Sequence, residues 1–300
     1  GLLPFPMAKD ISVLEECQVH KDFALEFSAN IEPYEPSMSL KICHCLDQVG
    51  FQLVDDDAGN LDVRITSGLF CRLRWCPVCQ WRKSRLLFRQ NILVYDWIQQ
   101  QSKHFFQFLT ITVPNVPLAE LRATCRKMSV CWNKFLTYAG RKGYSFDGGY
   151  KALEITYNSP KDTFHPHYHV ILSTPAGQWL PDASEFTNLW STCYGRYCST
   201  DLHTVRSAAS APGSAVAEVS KYIVKYKSFE HFDWSRFPEL VSAVCGLRFT
   251  SSFGIWKDAR KVLDLPDIET CDLLEDSVDA VTYSFHWDEL LRSYSFFGFF

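Results

Sequence analysis

The sequence predicts an α+β fold, a central and largely antiparallel sheet with flanking helices, joined to a small N-terminal module rich in cysteine. Three observations lead there. Short runs of alternating apolar and β-branched residues read as strands. They mix with helical patterns but show no strict strand–helix–strand alternation. One tight cluster, Cys71, Cys76 and Cys79, stands apart from the other scattered cysteines. With 300 residues, 47% of them hydrophobic, the chain can build one large domain or a main domain with a smaller module.

Taken in order, residues 1–36 are an acidic lead-in whose Pro4, Pro6 and Pro33 predict an irregular or partly helical segment. Residues 37–90 form the cysteine module. Within it Phe51-Gln-Leu-Val, the polar run Asp55 to Asn60, and Leu61-Asp-Val-Arg-Ile read as a hairpin. Residues 104–261 form the main domain. It opens with a strand, Phe106 to Val113, stopped by Pro114. A helix follows, with Pro117 near its first turn, apolar positions at Leu118, Leu121, Cys125, Met128, Trp132 and Phe135, and Gly140 just past its end. Strands are expected at Tyr150–Tyr157 and His167–Leu172, a helix near Asp182–Cys193, a short strand at Leu202–Arg206 and a last helix at about Ala215–Lys227. Residues 262–300 are an acidic segment. From Val262 to Leu291 there are nine Asp or Glu and no Lys or Arg, which reads as a solvated face or tail.

Charge is distributed unevenly. The net charge is −4, which alone argues against a nucleic-acid partner. Between Cys71 and Lys161, however, 15 Lys or Arg face four acids, a local +11 that leaves −15 for the remainder. The middle of the chain is basic and its ends are acidic. No apolar run approaches the roughly 18 residues needed to span a bilayer, and the opening residues lack a signal-peptide layout. We therefore expect a cytoplasmic protein with no membrane partner, its 12 cysteines reduced apart from any that bind metal.

The sharpest local signal is His165-Pro-His-Tyr-His-Val-Ile-Leu. A strand repeats every two residues, so His167 and His169 share one face, about 7 Å apart, with Tyr168 on the other. Taken alone, such a pair also fits an exposed polar strand face. Glu154, an acid among apolar residues on the preceding strand, changes the balance, because an antiparallel neighbour brings its carboxylate beside the imidazoles. Three ligands with open positions suit a catalytic ion, and the mixed nitrogen and oxygen set favours Mn²⁺ or Mg²⁺. The second signal is Glu218-Val-Ser-Lys-Tyr-Ile-Val-Lys-Tyr. Helical spacing lines up Glu218, Tyr222 and Tyr226 with Lys221 and Lys225 nearby: a phenol nucleophile, cations for phosphate and a carboxylate to activate water. In the module, Cys71, Cys76 and Cys79 offer three thiolates, and a tetrahedral Zn²⁺ takes a fourth from Cys43, His44 or Cys45. Arg72, Arg74, Arg82, Lys83, Arg85 and Arg89 would then make a basic face for duplex DNA, with Trp75 or Trp81 beneath it.

Phe108-Leu-Thr-Ile-Thr-Val-Pro-Asn, His165-Pro-His-Tyr-His and Glu218-Val-Ser-Lys-Tyr-Ile-Val-Lys resemble, in order and spacing, the three motifs of rolling-circle plasmid replication initiators of the HUH endonuclease superfamily. Cys71-Arg-Leu-Arg-Trp-Cys-Pro-Val-Cys resembles the cysteine motif of one branch of these Rep proteins, and Gly246-Leu-Arg-Phe with Ser252-Phe-Gly-Ile-Trp-Lys resembles its region after the tyrosine. The likeness covers roughly Cys43 to Lys261. It implies a ferredoxin- or RRM-like nuclease core in residues 104–261, a metal on His167, His169 and Glu154, and Tyr222 as nucleophile. It further implies a 5′-phosphotyrosine, a 3′-OH primer for a host polymerase, Glu218 as activator of water for the terminating cut, and Cys45 as the fourth zinc ligand. The substrate would be a single-stranded or hairpin origin with flanking duplex. The sequence contains no GxxxxGK[ST] motif, so strand separation is expected to need a host helicase. Tyr226 leaves a rival open, a transposase of the same superfamily alternating two tyrosines. A zinc-dependent DNA-binding protein without catalysis and a phosphoesterase using water throughout are rivals from other classes.

Overall fold

A computed structural model of the chain describes residues 8–55, 61–144, 146–178, 181–205, 216, 217, 219, 220, 223, 224, 226–271 and 273–299. They fall into two compact units, residues 1–83 with 269–300, and residues 84–268.

The first unit opens with α1 (Ala8–Ile31), a helix of 24 residues within the segment expected to be irregular or partly helical. No proline lies within its span, so no ring interrupts its hydrogen-bond ladder. Next comes α2 (Pro36–Cys43), with Pro36 at the helix start, where a missing N–H leaves nothing unsatisfied. The expected hairpin follows as β1 (Gln48–Asp55) and β2 (Leu61–Gly68), antiparallel, with Leu53 opposite Val63. Lys21 of α1 is fully buried. Its ammonium donates to the carbonyls of Cys43 and Cys45 at 2.6 and 3.0 Å and to Asp47 at 2.5 Å, so a costly buried charge is compensated while it braces the loop after α2. Helix α3 (Pro77–Gln101) begins in this unit and ends in the next.

In the second unit β3 (His104–Thr112) is followed by α4 (Leu118–Arg141). The six apolar positions expected on α4 are all buried. The helix runs through Gly140 and stops at Lys142, and the left-handed residue past its end is Gly143, at φ +76°. The sheet continues with β4 (Gly148–Asn158), β5 (Thr163–Pro175), α5 (Ala183–Tyr194), capped by Asp182 with a reciprocal Glu185 contact, and β6 (Thr200–Val205). The helix expected at Ala215–Lys227 is not continuous. Residues 216, 217, 219 and 220 are helical, but β-branched Ile223 and Val224 leave the helix and form β7 (Ile223–Val224), parallel to β4. A 3₁₀ turn at Tyr226–Phe229 follows. Then come α6 (Phe237–Val244), β8 (Thr250–Gly254) and α7 (Ile255–Val262). The strand order is β6-β3-β5-β4-β7, with β8 also paired to β4, and all pairs but β4–β7 are antiparallel. Gly254, at φ +55°, lies so close to the Asp147 carbonyl that a Cβ would stand 1.9 Å from it.

Strand alternation gives the sheet two distinct faces. Tyr168 and Lys151 face α4, with the Tyr168 ring 6.2 Å from that of Trp132. On the other face, Phe106 packs against Tyr95 of α3 and Trp256 of α7 at 4.4 and 6.4 Å, which covers one end and leaves the other end to polar residues.

After residue 268 the chain rejoins the first unit. The segment that reads as a solvated acidic tail contains β9 (Thr282–Asp288) and β10 (Ser293–Phe299), completing a sheet of order β10-β9-β1-β2. Phe285 of β9 stacks on Phe51 of β1 at 5.2 Å. Aromatics interleaved with the acids supply the buried face that a count of charges overlooks.

Two candidate metal centres

On β5, His167 and His169 point to one face, and the register sets Glu154 of β4 opposite His167. All three side chains are buried. Glu154 Oε2 lies 2.9 Å from His169 Nε2 and 3.3 Å from His167 Nε2, and the three ligand atoms fall within 4.8 Å of one another. The far side of each ring is held. His169 Nδ1 is 3.3 Å from Thr110 Oγ1, and His167 Nδ1 is 3.2 Å from the His165 carbonyl. Phe108 stacks on His169 at 5.4 Å. Ligating imidazoles are oriented in this way, one nitrogen to the ion and the other to an oxygen partner. The donor set, two imidazoles and a carboxylate converging from adjacent strands, therefore fits a divalent cation with coordination positions to spare.

Ile223, the residue that follows Tyr222 in the chain, pairs with Glu154 across the β4–β7 ladder. Tyr222, Glu218, Lys221 and Lys225 lie outside the described residues; Tyr226 opens the 3₁₀ turn beyond β7.

The second centre lies in the first unit. Cys45 follows α2, Cys71 follows β2, and Cys76 and Cys79 flank the start of α3. Their sulfurs lie within 4.8 Å of one another, with Cys45 to Cys79 at 3.6 Å and Cys71 to Cys79 at 3.7 Å. A tetrahedron with Zn–S bonds of about 2.3 Å has S–S edges of about 3.8 Å, so the spacing fits zinc. Of the three candidates for the fourth ligand, Cys45 joins the cluster. His44 instead contacts Asp47 at 2.8 Å. Burial pushes the Cys76 thiol well up, while hydrogen bonds from Cys45, Cys76 and Cys79 hold Cys71 low. A left-handed Arg72, at φ +58°, turns the chain between the ligands.

The basic face expected around this module is thinner than its sequence suggests. Arg82 is buried, donating to the Leu273 carbonyl at 2.6 Å and to Glu275 at 2.7 Å. Lys83 is buried too, and burial lowers its pKa. The acidic segment that returns to this unit brings Glu275 to Arg82 and Glu269 near Lys83, so both cations have internal carboxylates beside them. Arg74 contacts Glu269 at 3.4 Å, Arg72 is exposed, and Arg85 and Arg89 are half-buried on α3. Trp81 donates to Glu16 at 3.0 Å and stacks on His20 at 5.1 Å, and Trp75 is buried.

Two further side chains stand beside the first centre. Thr110 sits in Phe108-Leu-Thr-Ile-Thr, and strand alternation alone would align it with the histidine face once β3 is paired with β5. His165 shares the strand face of His167, and its ring stacks on that of His167 at 5.1 Å.

No helix among the described residues is long and apolar enough to cross a membrane. Residues 62–295 match the family model described as "Replication protein". Curated relatives named "Protein rep" include one from Streptococcus pneumoniae, 28% identical over 82% of this chain and 78% of its own length, and one from Bacillus amyloliquefaciens, 29% identical over 81% and 78%. Another from Lentilactobacillus hilgardii is 32% identical over 73% of each chain. No solved structure matches. With most of its length matched by the family model and by these relatives, the chain belongs to the Rep family of plasmid replication proteins, the rolling-circle initiators that its motifs resemble.

Proposed function

We propose that this initiator nicks one strand of its origin through Tyr222 and stays joined to the 5′ end it creates. The observation that carries this reading is the pairing of Ile223 with Glu154, which ties the chain beside Tyr222 to the strand that bears a ligand of the Glu154, His167 and His169 centre. These three residues would hold Mn²⁺ or Mg²⁺. Such an ion supplies Lewis-acid polarisation of a phosphate oxygen and stabilises a phenolate. The Tyr222 phenol oxygen attacks the scissile phosphorus and loses its proton. The P–O3′ bond breaks, the 3′ oxygen takes up a proton, and the products are a 5′-phosphotyrosine and a 3′-OH primer for a host polymerase. Lys221 and Lys225 hold phosphate oxygens, and Glu218 activates the water that ends the cycle. Tyr226 is the second phenol within reach in sequence and serves no essential step.

Cys45, Cys71, Cys76 and Cys79 hold a structural Zn²⁺, and the basic module, with exposed Arg72 and half-buried Arg74, contacts flanking duplex through its phosphates. A host helicase opens the duplex, and the protein works in the bacterial cytoplasm where plasmid DNA is copied.

The test is direct. Labelled single-stranded origin oligonucleotides are incubated with the protein and Mn²⁺, then resolved under denaturing conditions. A protein–DNA adduct lost in Tyr222→Phe and kept in Tyr226→Phe is the expected result. Cleavage that leaves no protein on the DNA, or an adduct that survives Tyr222→Phe, overturns the reading.

A further inference from the structure

Beside the Glu154, His167 and His169 centre, a cavity of about 420 Å³ opens at the same end of the sheet. Its walls include Asn115, just after β3, Asn158 at the β4–β5 turn, His165 of β5, and Ser228, Glu230 and His231 beyond β7. The turn that forms its rim is fixed. Asp162, left-handed at φ +48°, accepts from Arg236 at 2.8 Å and from the Tyr157 hydroxyl at 3.0 Å. His165 connects the cavity to the metal centre, because its ring lies against that of His167.

The lining selects the occupant. Among the described residues it includes no Lys or Arg and does include a carboxylate, Glu230, which suits a phosphate poorly. It offers instead two imidazoles for stacking and two carboxamides, each with a donor and an acceptor. That is the chemistry that recognises an unstacked nucleobase. The volume falls in the range of pockets for small ligands. Asn158 stands at the start of a 3₁₀ turn, where its side chain makes no capping hydrogen bond.

The geometry points to a base-reading pocket: with a phosphodiester at the metal centre, a neighbouring unpaired base enters between His165 and His231 and is read by Asn158 and Asn115. This rests on the nicking reading above and deepens it, since it assigns the site a determinant of sequence preference.

A randomised single-stranded oligonucleotide pool tests it in two arms. In the first, wild-type protein with Mn²⁺ forms adducts, which are sequenced. In the second, Tyr222→Phe protein without added Mn²⁺ and without chelator enriches bound sequences, so that readout needs neither nicking nor the catalytic ion and leaves zinc in place. Asn158→Ala is introduced in both arms, with His231→Ala as a second variant and a thermal melt as the folding control. The expected result is a base preference at one position next to the cleaved phosphate that falls about tenfold or more in the variants, with the other positions unaltered. Adducts whose preference stays within twofold of wild type at every position in both variants overturn the pocket and leave the nicking reading intact. If no adduct forms at all, the nicking reading falls and the binding arm decides. A one-position preference lost in Asn158→Ala upholds the pocket, and its absence overturns it.

Discussion

The two centres differ in the way a closed site differs from an open one. In the first unit, four thiols gather within 4.8 Å of one another, a set that would fill all four positions of a zinc ion. In the second, two imidazoles and one carboxylate converge from adjacent strands of a sheet, so an ion held there keeps positions for water and a phosphate oxygen. Their supports differ as well. The cysteines sit on turns and helix starts braced by buried Lys21, whereas the histidines sit on a central strand with their outer nitrogens held by Thr110 and a backbone carbonyl. A loop-built site depends on its metal for shape. A sheet-built site has its shape before the metal arrives, so removing metal should damage fold in one unit and chemistry in the other.

The largest expected effect sharpens this contrast. His169→Ala or Glu154→Gln removes a ligand from the open site; losing several kcal/mol of charge stabilisation corresponds to about a 10³-fold fall in nicking rate. The circular dichroism spectrum and the melting temperature should stay near wild type. A variant that unfolds instead would show that this site, too, is structural.

Cys76→Ser is the converse. We expect loss of one equivalent of bound zinc by elemental analysis, and early, less cooperative unfolding of residues 1–83 with 269–300 by hydrogen exchange. Retention of zinc and of protection in that unit would break the comparison.

Thr110→Val removes only the hydroxyl that orients His169. Loss of such a support costs about 10- to 100-fold in metal affinity or activity, read as a raised Mn²⁺ requirement for nicking. An unchanged Mn²⁺ titration would mean that the strand alone fixes the ring.

The smallest effect concerns the face of the sheet away from the metal. Lys151 lies 3.8 Å from the centre of the Tyr168 ring, and burial lowers its pKa from 10.5 to about 7. The unfolded chain thus binds more protons between these values, and stability rises with pH across that window. Lys151→Met should melt higher than wild type at pH 7, with the gap narrowing toward pH 10. A gap independent of pH would show that the cation–π contact with Tyr168 offsets the desolvation.

Much of the open site was legible in the chain because its signals are local. The period of two in His167-Tyr-His and the lone acid in Leu153-Glu-Ile-Thr put three ligands on strand faces before any fold was known. The helix of Leu118–Arg141 was legible because its apolar stripe has one period throughout. Other features were not, since they depend on partners distant in sequence. Residues 223 and 224 read as helix by pattern, yet pairing with Glu154 and Ile155 supplies backbone hydrogen bonds that outweigh a weak local preference. Arg82 and Lys83 read as DNA contacts because a charge run shows its sign and not its neighbours.

The sequence by itself indicated most element types of the main domain, the three side chains that converge as Glu154, His167 and His169, and the family resemblance, all of which rest on residue identity and short spacing. Only the tertiary structure decided that Cys45 completes the cysteine cluster in preference to Cys43 or His44, that the acidic C-terminal segment returns to form β9 and β10 beside β1, and that Arg82 is spent on Glu275. The reason is physical. Spacing along a chain constrains which side chains share a face, whereas burial and charge pairing depend on which distant segment packs against it.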